Sequence, residues 1–104
     1  MALRVRVCRV DEVPAEDFRA FPVNGVTWPV IVARVDGELV AVPGVCPHED
    51  VALEHGYMDG PRIVCPGHSY GFDLRTGRCQ HDATLVLRRY KLSIIDDDVW
   101  VDLL

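Results

Sequence analysis

The chain has 104 residues, about half of them apolar and a quarter charged, enough for one domain with a modest core. No apolar run approaches a membrane span, and a net charge of −5 argues against nucleic acid as a partner, because a phosphate backbone needs a basic face. Solubility accounts for such an acidic balance, with steering onto a basic protein partner as the functional alternative.

The first ten residues contain no apolar block followed by a small-residue cleavage site and no twin-arginine leader, so a cytoplasmic protein is expected. Residues 3–10 alternate apolar and basic side chains, the pattern of a strand with one buried face. Residues 11–17 hold Pro14 and several acids and are read as a turn or one helical turn. A short strand is expected over 18–23, ended by the Asn24-Gly25 turn. Two β-branched runs, 30–35 and 38–42, flank Asp36-Gly37, the strongest short-range hairpin signal. Pro43-Gly44 ends the second run and delivers the chain to Cys46-Pro47-His48.

Residues 49–60 are mixed and turn-rich, and Ile63-Val64 is a short strand feeding Cys65-Pro66-Gly67-His68. Beyond it, 69–74 read as a strand with Phe72 packed beneath the loop, Arg75-Thr76-Gly77 as a turn, and 85–87 and 90–95 as strands. An acidic turn, Asp96-Asp97-Asp98, leads to a last strand over 99–103. No stretch sustains helical periodicity. The expected fold is a single all-β domain with a loop-rich insert near its middle, its terminal strands paired across the domain. Trp28 and Trp100 are read as core or sheet cover.

The chemistry lies in two matched pincers, C-x-H at Cys46 and His48 and C-x-x-H at Cys65 and His68, with sixteen residues between His48 and Cys65. Each offers one soft sulfur and one imidazole from a Pro- and Gly-rich loop. Such loops brought together suit a tetrahedral zinc or a two-iron cluster. In a cytosolic chain disulfides are disfavoured and Cys beside His points to metal. Cys8 and Cys79 lack a His at ligand spacing and are read as small apolar residues. His55 and His81 stand in neither pincer and are read as surface residues or neighbours of the ligands. Glu49 and Asp50 are read as a solvated loop edge.

The donor set has a purpose for iron. An all-ferric [2Fe–2S] core of about +2 is brought to about zero by two thiolates, and one-electron reduction takes it to about −1. Four thiolates would leave it about −2 before reduction, and adding an electron to an anion costs more in a low-dielectric pocket.

The C-P-H…C-P-G-H pair, its spacing, the following Tyr70-Gly71-Phe72-Asp73-Leu74-Arg75-Thr76-Gly77 and the ending Val99-Trp100-Val101-Asp102-Leu103 closely resemble Rieske-type ferredoxins of bacterial multicomponent aromatic-ring oxygenase systems. The resemblance covers nearly the whole chain. It implies the Rieske iron–sulfur fold, an antiparallel β-sandwich base (roughly 1–43 and 83–104) with a small loop-rich cluster-binding subdomain (roughly 44–82). It implies one [2Fe–2S] cluster, with Cys46 and Cys65 on the inner iron and His48 and His68 on the outer. The implied role is not that of an enzyme but of a monomeric one-electron carrier. Its transient partners are a flavoprotein ferredoxin reductase and a terminal oxygenase, which is an aromatic dioxygenase or a diiron monooxygenase.

Two alternatives come from other classes: the small Rieske-like subunit of an assimilatory nitrite reductase, and a zinc-stabilised interaction module. The departures from respiratory relatives, which resemble C-x-H-x-G-C and C-P-C-H-G-S-x-Y, are informative. Val51 and Gly67 stand where those proteins place a disulfide between the loops, and Tyr70 and Phe72 stand where they place Ser and Tyr hydroxyls toward cluster sulfur. Losing such donors removes stabilisation of the more anionic reduced cluster. A reduction potential of about −150 mV, near the low end of the Rieske range, is therefore expected.

Overall fold

The computed structural model describes residues 3–67 and 69–103; the expectation for His68 lies outside the described residues. Among these residues, nine strands form three antiparallel sheets of three. β1 (Arg4–Arg9), β9 (Asp98–Asp102) and β8 (Lys91–Ile95) make the first, in the order β1-β9-β8. β2 (Phe18–Phe21), β3 (Val30–Val35) and β4 (Glu38–Pro43) make the second, and β5 (Tyr57–Asp59), β6 (Arg62–Val64) and β7 (Gly71–Asp73) the third. Two single 3-10 turns, Val10–Glu12 and Leu53–His55, are the only helical elements among the described residues.

The middle sheet explains how the other two are held. Side chains alternate across a strand, and β3 is buried on both faces. Ile31, Ala33 and Val35 join a core with Leu53, Ile63, Phe72, Leu74, Leu87 and the thiols of Cys46 and Cys65. Val30 and Val32 join a second core with Cys8, Val13, Ala41, Val99 and Val101. One strand thus serves as the floor of the loop-bearing half and as half of the sandwich behind it. The sandwich closes where β4 meets the start of β8, through the Ala41–Tyr90 bridge, with Tyr90 N–H donating to the Ala41 carbonyl at 2.8 Å.

The terminal strands pair as expected, Val5 opposite Val101 and Arg4 opposite Asp102, with a bulge between Arg6 and Cys8. Arg4–Asp102 and Arg6–Asp98 ion pairs, both at 3.1 Å, line the outer face of this pair. Trp100 is half-buried on that same face and covers the sheet. Asp36-Gly37 forms the hairpin, with φ of 52° and 81°, and Asp96 and Asp97 form a second, with φ of 52° and 66°. Positive φ at both central residues matches the twist of the flanking strands. Asp98 therefore belongs to β9 rather than to the turn.

Four other expectations shift. The second strand stops at Phe21 instead of 23, and the strand expected over 69–74 is confined to Gly71–Asp73. β5 lies inside the stretch read as turn-rich. Residues 85–87 make no strand; they run beside residues 77–79 through one bridge, Arg78–Val86, with hydrogen bonds from Cys79 N–H to Leu85 O and Leu87 N–H to Gly77 O.

Cys8 and Cys79 are buried, unpaired apolar residues, as the sequence indicated. Burial pushes the Cys8 thiol up from 9.0 to about 11. The fold favours the neutral thiol, so this contribution is intact below pH 9.0 and is lost as pH rises from there through about 11. In chemical denaturation, stability is expected to fall less steeply above pH 9.0 in Cys8→Ala than in the unsubstituted chain, whatever their offset at neutral pH. Equal slopes would remove Cys8 as a cause of alkaline destabilisation.

Candidate metal centre

The pincers are built alike. In the first, β4 ends at Pro43, the Val45–Ala52 bridge brings the chain back on itself, and Cys46 N–H donates to the Val51 carbonyl at 3.0 Å. In the second, β6 and β7 pair as far as Val64 opposite Gly71, and Cys65 N–H donates to the Tyr70 carbonyl at 2.8 Å. Each loop is therefore pinned by a bond from its Cys to the residue five positions on. A further bond tightens each, Val51 N–H to Glu49 O at 2.7 Å and Ser69 N–H to Cys65 O at 3.0 Å. Ser69 takes φ of 60°, a left-handed conformation that a side chain rarely adopts; the turn geometry dictates it.

Cys46 and Cys65 are fully buried, and both belong to the core beneath the loops. Burial pushes the Cys46 thiol up to about 11, and a hydrogen bond with the Cys65 thiol adds to this; the backbone N–H groups of Glu49 and His48 oppose it by donating to the Cys46 sulfur. Two adjacent sulfurs in an apolar pocket, one already receiving amide hydrogen bonds, fit a centre that takes both as thiolates. Binding there releases protons.

His48 is less buried than the two thiols, its side chain a quarter exposed. Phe72, fully buried, lies beneath the loops and carries no donor. Among the described residues no three His, Cys, Asp or Glu side chains group to hold a single metal ion. Buried thiols with a more exposed imidazole suit a two-iron centre whose Cys and His fall on different irons.

Residues 4–91 match the Rieske [2Fe–2S] domain. The chain belongs to that family. A Rieske domain of this kind implies one [2Fe–2S] cluster. The chain is 35% identical over 99 residues to the biphenyl dioxygenase ferredoxin subunit of Pseudomonas sp. (strain KKS102), covering 93% of this chain and 89% of that one. Among solved structures it is similar to the Sphingomonas yanoikuyae B1 ferredoxin, with a TM-score of 0.86 and 29% identity over 98% of this chain and all of that one. It is also similar to a chain in the complex of reduced oxygenase and oxidized ferredoxin in carbazole 1,9a-dioxygenase, with a TM-score of 0.83 and 26% identity, covering 95% of this chain and 92% of that one.

Two side chains beside the Rieske loops bear on the site, and the first differs from its sequence reading. Glu49 is not a simple solvated edge. Its carboxylate lies 3.9 Å from His48 Nδ1, and a Cβ added at Gly67 would overlap it. Gly67 therefore makes room for a side chain from the opposite loop. His81 is exposed at one edge, as His55 is, but its ring packs against Tyr70, which packs in turn against His48. Asp82 beside it is held below the usual carboxylate range, chiefly by the Thr84 hydroxyl at 2.6 Å, with the Thr84 amide and His48 adding to the effect. Nothing in the spacing of 70, 81 and 48 signals this contact.

Proposed function

We propose that the chain is a ferredoxin, a one-electron carrier between a flavoprotein ferredoxin reductase and the terminal oxygenase of an aromatic-ring-oxidising system. The observation that carries this reading is the pair of equivalent loops, which bury Cys46 and Cys65 together and leave His48 toward the surface. In it, Cys46 and Cys65 hold the inner iron and His48 and His68 the outer. The bound cluster supplies one-electron chemistry at mild potential.

The residues of the chain do the rest. The core about Phe72 and Leu74 keeps water from the two sulfurs, and the amides of His48 and Glu49 stabilise the charge on Cys46. His48 offers the shortest route to a partner. The cluster-binding subdomain is taken as roughly 44–82 on a base of 1–43 and 83–104. The carrier is a cytoplasmic monomer in this reading, and its encounters bury little area, as brief redox contacts do. No helix among the described residues is long and apolar enough to cross a membrane.

The complete Cys/His set favours a carrier over a nitrite reductase small subunit, some of which lack ligands. Fully buried thiols beside a quarter-exposed His48 suit two irons better than a single zinc ion. The test is a redox titration of the purified protein followed by visible and EPR spectra. A Rieske-type signal on dithionite reduction and a potential of about −150 mV are expected, because Phe72 offers no hydroxyl to the sulfides. A colourless protein holding stoichiometric zinc overturns the reading, and a potential well above zero overturns the account of the lost donors.

A further inference from the structure

Residues 79–85 form a third loop that shoulders the two pincers. It is tied down by hydrogen bonds from Gln80 N–H to Gly71 O at 2.9 Å and from Cys79 N–H to Leu85 O at 3.3 Å. From it, His81 lies nearly parallel to the Tyr70 ring, with centroids 5.1 Å apart and planes at 12°. The Tyr70 ring contacts the His48 imidazole at 4.2 Å, tilted by 31°. Gly71 N–H points at His81 Nδ1 from 3.4 Å, which requires a lone pair on that nitrogen and so places the His81 proton on Nε2. The His81 ring is thereby oriented from behind by the backbone of β7 and presented flat to Tyr70.

We propose that His81 is a positioning residue for the His48 ligand. By stacking on Tyr70 it clamps the tyrosine ring against the His48 imidazole, fixing the plane of that imidazole and covering one of its faces from water. This rests on the assignment of His48 to the outer iron. The argument is geometric: three rings in sequence leave His48 little freedom to rotate on the side where Tyr70 lies. Its electronic consequence follows from charge. Reduction adds a negative charge to the cluster and its ligands, and water near His48 favours the more charged state. Removing the cover should raise the potential, and a looser imidazole should alter how its nitrogen couples to the iron.

The test uses the cluster-loaded full chain, with pulsed EPR of the dithionite-reduced state and voltammetry on His81→Ala, His81→Phe and Tyr70→Ala. The unsubstituted protein is measured first; if it gives no Rieske signal, the cluster assignment fails and the proposal falls with it, a result distinct from every outcome on the variants. Given that signal, His81→Ala and Tyr70→Ala are expected to shift the g values, to change one of the two ligand-nitrogen couplings and to raise the potential. His81→Phe, which keeps a flat ring on Tyr70 but loses the Nδ1 acceptor, is expected to lie much nearer the unsubstituted protein than His81→Ala does. His81 is exposed at its edge, so its variants do not open the core if Tyr70→Ala fails to fold. A purely structural role would lower unfolding stability in His81→Ala while g values and potential stay fixed, and that result overturns the proposal. So does a His81→Phe protein displaced as far as His81→Ala.

Discussion

Cys65→Ser is expected to leave a folded chain that purifies colourless, with iron and acid-labile sulfide at background. Serine keeps the volume and the backbone bond from residue 65 to Tyr70 O, but it replaces a soft sulfur with a hard neutral hydroxyl that binds iron poorly. The comparison that gives the result meaning is Cys79→Ser. Cys79 sits in the same buried core, so its serine hydroxyl suffers the same loss of water, about 1–3 kcal/mol if no partner is found. That variant should lose stability and keep its colour. Retention of a full chromophore in Cys65→Ser would sink the ligand assignment, and loss of colour in both would mean that core damage alone expels the cluster. The loaded protein should also resist denaturant far better than the Cys65→Ser protein, since a group that binds only the folded chain adds its binding free energy to folding.

What the sequence made legible follows the range over which each signal acts. Asp36-Gly37 and the β-branched runs beside it are local, and the hairpin forms between the expected strands with both turn residues at positive φ. The pairing of the first and last strands was legible because the first alternates strongly and short strands are not stable alone. β5 was not. Its Tyr57-Met58-Asp59 lies between Gly56 and Gly60, and only its ladder with β6 makes it a strand. Residues 85–87 failed the other way. Their apolar run reflects burial of Leu87 beneath the loops rather than a ladder.

The pincers themselves were plain, because metal-ligand types at close spacing are a local code. Their surroundings were not. Glu49 over Gly67 joins residues 18 positions apart, and the His48–Tyr70–His81 stack spans 33. Such contacts are set by how three loops meet on one sheet, and no periodicity encodes that. The sequence reading of Tyr70 as a displaced serine therefore described what the position lacks, whereas the structure gives it a different task.

Phe72→Ala is expected to be the most damaging single truncation in the loop-bearing half. Phe72 is fully buried, pairs with Ile63 across β6 and β7, bridges to Cys79, and shares its core with both thiols. Removing a buried aromatic ring in this way costs about 3–5 kcal/mol, the lost transfer energy plus the cavity left behind, against a total of about 5–15 kcal/mol for a domain of this kind. The site has little room to collapse, because β3 lies under it and is packed on its far face by the second core. Part of the damage should therefore appear as an opening beneath Cys46 and Cys65 and not only as a lower denaturation midpoint. Two measurements separate these effects: urea unfolding, and the rate at which the visible spectrum bleaches in air under native conditions. Phe72→Ala should weaken the first by several kcal/mol and accelerate the second, while Phe72→Leu, which fills most of the volume, should be milder in both. Bleaching unchanged in a clearly destabilised Phe72→Ala protein would show that the ring supports the fold without shielding the sulfurs.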